Sequence, residues 1–554
     1  MEQHSVKRRT VTPQSEDQEG LLIDKKTKPV ATAYCVDVPF FSWEVLQIVL
    51  LHVIAGSFLG YSVGFVGPYY TFVKISRDCS AITAQAACLL SIPGRCEWEN
   101  NSCIFRRDTC RGLALEDCGV DFSRRAHHCL WETKASLCTR QVGYTAVQNG
   151  FFAAAMIAGG CLGSLCAGVI LSATGRRKTF FYSGLVACVA AVLTHVSTYT
   201  DQYVMVIAGR VLAGVASGVL CVASPLYVEE MAPAQHRQLV GVFFQVACTF
   251  GILLAATMGL VLNPRDFSTD LHMQLCRQGL CIPPSIIAVC VVISGLYMKE
   301  SPQWVEQRLR ARAVREERAS VNDTLNVPVD DDDNMSDMHP GSDTMKYSWR
   351  LLVRPLTTSF VMCVAQQMTG INAIMNYAPN ITSVMGLAPL TGNFVIMAWN
   401  FAVVLVSIPL SSKYRADFMY IGAVFVTSTS CLLTGIFVFP PMGAGDTLKR
   451  VFSSIGIAIF IAFFEIGMGS FFWALSHGIF PPAFRARGSS FTVLVQFLFN
   501  ILINVGFPIA VERLSGGPSG NQDKGMGIAF MFFASIGFIT GVYLLKYLRL
   551  WEAQ

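Results

Sequence analysis

Charge is what this sequence has least of. Only 14% of its 554 residues are Asp, Glu, Lys or Arg, against 53% hydrophobic residues, and the mean hydropathy is positive. That balance excludes a soluble enzyme of this length and fits a chain that crosses a bilayer many times. The net charge of +5 is small and scattered, so nothing points to a nucleic-acid partner. Gly-rich phosphate loops, metal-ligand clusters and nucleophile elbows are missing, so the sequence implies neither catalysis nor a cofactor. Residues 1–30 are polar and charged and lack the apolar core of a signal peptide, which makes the first span the expected insertion signal.

What is there is a series of apolar runs. Twelve spans are expected, beginning near Ser42, Thr145, Phe180, Tyr203, Val240, Pro283, Leu356, Leu390, Asp417, Arg450, Ser490 and Gly525. They predict a tail 1–41, a six-helix bundle 42–299, a linker 300–350, a second six-helix bundle 351–548 and a short tail 549–554. Basic residues collect in the first tail (Lys7, Arg8, Arg9), after the second span (Arg176, Arg177, Lys178) and after the sixth (Arg308 to Arg318). Positive charge stays inside, so both termini are expected in the cytoplasm. The acidic run Asp330 to Asp333 reads as solvated linker. A weak repeat pairs Pro233 and Arg237 after the fourth span with Pro481 and Arg485 after the tenth, as expected of a duplicated carrier.

The loop 71–144 holds Cys79, Cys88, Cys96, Cys103, Cys110, Cys118, Cys129 and Cys138 at near-even intervals. Eight cysteines on the outer side are expected to form a small disulfide-rich insertion; zinc is the rival, though no CxxC pair occurs. Asn100 opens a glycan acceptor motif on the same side.

The run from Phe360 to Ile381 carries Gln366, Gln367, Met368, Thr369, Gly370, Ile371 and Asn372, with Asn376 and Tyr377 beyond. Carboxamides in lipid need a bundle interior or a watered cavity. A regular helix would set Gln366 and Asn372 roughly 120° apart, and Gly370 offers a place to unwind between them. Amides both donate and accept, which suits a neutral polyhydroxy solute. A polar seam joining two helices fits the same residues.

Further motifs occur in order: Gly168 with Gly175 and Arg176-Arg177-Lys178; Gly209-Arg210; Pro225-Leu226-Tyr227-Val228-Glu229-Glu230 up to Pro233 and Arg237; Phe464-Glu465-Ile466-Gly467 up to Trp473. Together they resemble the sugar porter family of the major facilitator superfamily over nearly all twelve spans. Gly370 to Pro379, Met397 to Phe401 and the cysteine-rich loop resemble the hexose transporters of kinetoplastid parasites.

The resemblance implies an all-α membrane protein with twelve transmembrane helices in two bundles. It implies a cargo pocket of Gln245, Gln366, Gln367, Asn372, Asn400, Trp473, Gln496 and Asn500, and an outer gate at Asn376 and Tyr377. Gln496 and Asn500 are four apart and share a helix face, and an indole suits the C–H face of a pyranose. The resemblance also implies an ion-pair network of Arg176, Arg177, Glu230 and Arg237 that latches the outward-open state. Arg485 and Glu465 join the gating candidates; for Glu465 a structural ion pair fits equally.

Departures from the pattern matter. Gly478 stands where the family's Glu would pair with Arg485, so the latch is expected to be strong in the first half and weak in the second. Ser172, Gln303, Met468 and Ser470 replace other motif residues. Proton-coupled members carry an Asp in the first span where this chain has Ser62, which does not titrate near neutral pH. The expected function is facilitated diffusion of glucose, and of fructose, across the plasma membrane by a monomer needing only hexose and bilayer. The rivals are a proton-coupled sugar or polyol symporter using Glu465 or Glu230, and a sugar sensor.

Overall fold

A chain in lipid must satisfy every backbone N–H and C=O within itself, and helices do so segment by segment. The computed structural model describes residues 39–75, 96–99, 102–105, 127–132, 137–142, 146–200, 202–262, 270–325, 349–375, 389–439, 446–516 and 521–548. In the first half the helices are α1 (Trp43–Gly64), α2 (Val66–Ile75), α3 (Ala146–Thr174), α4 (Arg176–Thr200), α5 (Tyr203–Met231), α6 (Ala234–Val261) and α7 (Asp270–Tyr297). Helix α8 (Pro302–Leu325) lies between the halves. The second half has α9 (Trp349–Met368), α10 (Pro389–Val404), α11 (Ser407–Lys413), α12 (Ala416–Val438) and α13 (Asp446–Phe463). A π-helical turn (Phe464–Gly469) follows, then α14 (Ser470–Gly478), α15 (Arg485–Ser515) and α16 (Gln522–Tyr547). Residues Phe40–Gln554 form one unit by their contacts; the other unit, Met1–Pro39, lies outside the described residues except for Pro39.

Eleven helical stretches among the described residues are long and apolar enough to cross a membrane, against the twelve expected. The one that falls short is α9, whose first turns carry Arg350 and Arg354 and whose last carries Gln366 and Gln367. Outer faces of other spans are apolar as lipid requires: Leu162, Leu165 and Val169 on α3 are exposed at helical spacing, and so are Leu498, Leu502 and Val505 on α15.

The insertion between α2 and α3 needs correcting. It is not helical where described but carries two antiparallel hairpins, β1 (Cys96–Glu99) with β2 (Ser102–Phe105) and β3 (His127–Glu132) with β4 (Leu137–Val142). No disulfide occurs among the described residues, so the expected disulfide-rich insertion in an all-α chain does not hold. Register supplies the reason. Cys96 faces Phe105 and Cys103 faces Trp98; Cys129 faces Arg140 and Cys138 faces Trp131. Each hairpin's two cysteines are thus diagonal by two residues, about 7–8 Å apart, beyond the span that a disulfide bridges without backbone movement. Cys79, Cys88, Cys110, Cys118 and Asn100 lie outside the described residues.

Lipid gives helices no hydrophobic reason to associate, so small residues decide the packing. On α3, Gly159 and Gly163 abut the Val211 and Val215 carbonyls of α5, and Gly214 and Gly218 of α5 abut the Met156 and Gly160 carbonyls in return. A Cβ at any of the four would overlap those oxygens. The halves meet where α3 packs on α15 and where α6 packs on α10, α11 and α14. At one end of the first half, Phe65, Tyr69 and Phe152 stack in series, centroids 4.9 and 5.4 Å apart, and Leu390 of α10 joins that cluster. The opposite end, where α3 turns into α4, is charged. Gly175 makes that turn with φ +84°, and the Glu300 carboxylate occupies the place of its missing side chain.

Candidate functional site

Between those two ends lies a polar cluster built from both halves. Gln245 of α6 donates through Nε2 to Glu465 Oε2 at 2.9 Å and accepts from Trp473 Nε1 at 3.0 Å. Asn400 of α10 also hydrogen-bonds Glu465. The local fold explains the meeting. The π turn places Glu465 inward, Ser470 Oγ donates to the Glu465 carbonyl at 2.6 Å, and Gly469 lets the carboxylate and carboxamide close over the backbone. Trp473 is held from behind by Phe244, ring centroids 4.6 Å apart.

The second group sits at the break in α9. Gly370 adopts φ +97°, a conformation that costs an L-residue roughly 1–2 kcal/mol. Helix resumes at Ile371, and the kink brings Asn372 Nδ2 to Gln367 Oε1 at 2.7 Å. Gln366 and Gln367 are both buried. The third group is on α15, where Asn500 Oδ1 accepts from Asn504 Nδ2 at 2.7 Å. Gln366 Oε1, Asn400 Oδ1 and Gln496 Oε1 are buried with no hydrogen-bond partner among the described residues. Buried acceptors left open are uncommon in native proteins.

Of the expected pocket residues, then, Gln245 and Trp473 meet directly, and Asn400 joins them through Glu465. Gln367 and Asn372 bond each other, and Gln496 and Asn500 stand four residues apart on α15. Asn376 and Tyr377 lie outside the described residues. Glu465, for which the sequence leaves gating or a structural ion pair open, stands in the Gln245 cluster.

The charged end is wired differently from expectation. Arg176 clamps Glu230 in bidentate fashion at 2.8 and 2.5 Å, both side chains buried. Among the described residues the Arg177 guanidinium meets no acidic side chain; Nη2 donates to the Leu296 carbonyl at 2.7 Å. Its backbone N–H, with that of Arg176, donates to Glu300. Arg237 pairs with Glu229 at 3.3 Å. Arg485 reaches across from α15 to the same Glu229 oxygen at 3.7 Å. Gln238 of α6 adds a second crossing, donating to the Ser411 and Tyr414 carbonyls at 2.8 and 2.7 Å. Sequence reasoning passed over Glu229, Gln238 and Glu300. For Glu229 a signal existed: it adjoins Glu230, and Gly478 had left Arg485 without its usual partner.

Helices from two halves around a buried polar cluster, with ion pairs at one end, define a membrane carrier. The family profile described as "Sugar (and other) transporter" matches residues 48–544, and the chain belongs to that family, the sugar porters of the major facilitator superfamily. It is similar to glucose transporter 2A of Trypanosoma brucei brucei, 37% identical over 93% of this chain and 89% of that one. It is also similar to membrane transporter D2 of Leishmania donovani, 32% identical over 93% and 91% of the two chains. Among solved structures it resembles the proton:xylose symporter XylE bound to 6-bromo-6-deoxy-D-glucose, with TM-score 0.63, 17% identity and coverage of 91% and 96%. That last likeness concerns the fold alone.

Proposed function

We propose that this protein is a facilitative hexose transporter of the plasma membrane, carrying glucose, and fructose beside it, by alternating access. In this reading the sugar binds between the halves, where Gln245, Gln366, Gln367, Asn372, Asn400, Trp473, Gln496 and Asn500 offer carboxamides and an indole. The charged end faces the cytoplasm with both termini, and the monomer is the working unit. Asn376 and Tyr377 would gate the outer mouth.

The observation that carries the proposal is the Gln245–Glu465–Trp473–Asn400 cluster at the contact of the halves. A neutral polyol exchanges hydrogen bonds with such a cluster without adding a charge to a low-dielectric site. The kinetoplastid glucose transporters that share a third of its residues support hexose as cargo. Uniport is supported by Ser62, which cannot carry a proton near neutral pH.

The experiment is counterflow of labelled glucose in proteoliposomes at two external pH values, for the natural protein and Gln367→Ala. Exchange at equal rates at both pH values, without a protonophore effect, is the expected result. Gln367→Ala is expected to weaken sugar affinity about tenfold, the scale of one lost hydrogen bond with its partner left unpaired. Unchanged affinity in that variant refutes the pocket. Sugar-driven alkalinisation outside would transfer the coupling role to Glu465.

A further inference from the structure

We propose that the cavity beside Arg210, inside the first half, binds a small monovalent anion, chloride being the natural candidate. The cavity lies among α1, α4, α5 and α7 and is lined by Tyr61, Ser62, Thr194, Arg210, Cys281 and Pro284, with Ala and Phe side chains making up the rest. It is apart from the Gln245 cluster and from the ion pairs at the charged end.

Arg210 is the reason for the assignment. Its guanidinium is always charged, and only 3% of the residue is exposed. Nη1 donates to the Ser62 carbonyl, Nε donates to the Phe152 carbonyl at 3.4 Å, and the Phe152 ring stands 5.1 Å from Cζ. Two carbonyl dipoles and a ring face do not cancel a full charge, and no carboxylate pairs with it among the described residues. A guanidinium has five N–H groups, so three are left for the cavity it lines. The neighbouring hydroxyls do not compete: Tyr61 donates to the Leu280 carbonyl at 2.7 Å and Thr194 to the Ala190 carbonyl at 2.9 Å. The cavity therefore presents a positive field between largely apolar walls. A buried charge in a membrane span is expensive until it is paired. A weakly hydrated ion of single charge supplies that pairing; phosphate and citrate are too bulky and too strongly hydrated.

The site is placed to matter. Arg210 ties α5 to the last turn of α1 through Ser62 and to α3 through Phe152, and α1 gives way to α2 just beyond, at Phe65. An anion there braces the junction of three helices, at a distance from the sugar.

The test uses the purified full chain in detergent and in liposomes, with potassium chloride exchanged for potassium gluconate at constant ionic strength. Thermal unfolding is read first, because it does not depend on the transport proposal. The midpoint is expected to rise saturably with chloride, and glucose counterflow to rise with it severalfold. Ser62→Asp places a fixed carboxylate beside Arg210 and is expected to remove the chloride response of the midpoint. A flat chloride titration of the natural protein overturns the proposal without any variant. A full response retained in Ser62→Asp puts the anion elsewhere and overturns it too.

Discussion

Arg485 on α15 and Glu229 on α5 join the two halves of the molecule, Nη2 standing 3.7 Å from Oε1 with both side chains less than a tenth exposed. The same carboxylate oxygen also takes Arg237 at 3.3 Å, so one acid serves one cation from each half. Removing it takes a carboxylate partner from both guanidiniums at once. Buried pairs add little stability on balance, yet breaking one leaves an uncompensated charge, and this asymmetry makes a good switch.

Glu229→Gln is therefore expected to shift the protein towards the state open at the charged end. A change on the order of 1.4 kcal/mol would move the populations tenfold. Cysteines introduced near Ala486 should become tenfold more reactive to a thiol reagent from that side. The swap of Glu229→Arg with Arg485→Glu should recover only part of the closure, since Arg237 would then face a like charge.

Gln238→Ala tests the other crossing. It removes two hydrogen bonds to backbone carbonyls that carry no net charge. The shift in the same accessibility assay should have the same sign and be smaller, about threefold, in line with neutral hydrogen bonds near 0.5–1.5 kcal/mol.

Gln245→Ala cuts both contacts that organise the central cluster. The Glu465 carboxylate then keeps Asn400 alone, and the indole N–H loses its acceptor. Sugar uptake, measured as kcat/KM, should fall about ten- to a hundredfold, the cost of leaving one or two buried polar groups unpaired. Trp473→Phe removes the N–H donor and part of the ring area but leaves Gln245 bonded to Glu465, and should cost less. A loss as large as that of Gln245→Ala would argue that ring area, not the hydrogen bond, is what matters.

Gly370→Ala should damage both fold and affinity. The residue would be held at φ +97°, and its methyl would stand 2.6 Å from the Phe533 ring. Adding Phe533→Ala relieves the clash but not the backbone strain, so unfolding midpoints of the single and double variants separate the two contributions.

The span pattern, the carboxamide run and the family motifs could be read directly from the sequence because each is local: an apolar period, a set of amides, a fixed spacing. The break at Gly370 was legible for the same reason. What was not legible depends on register and on partners distant in the chain. The even spacing of the loop cysteines suggests staples, but the hairpin register sets Cys96 and Cys103 diagonally, and spacing does not reveal register. For Glu465 the sequence leaves gating and a structural ion pair open, and its bond to Gln245 depends on a partner 220 residues away. Gly478 looked like a missing contact until the fold brought Glu229 to Arg485 from 256 residues away in sequence (485 minus 229).

With no proline in Phe464–Gly469, the π turn keeps its backbone donors and winds wide by one residue. A wide turn can travel along a helix by passing its surplus residue to the next rung, one exchanged bond at a time. The tenth span can thus bend and re-aim Trp473 with its ladder almost whole, as a wrinkle moves along a carpet, where a proline would fix the crease in place.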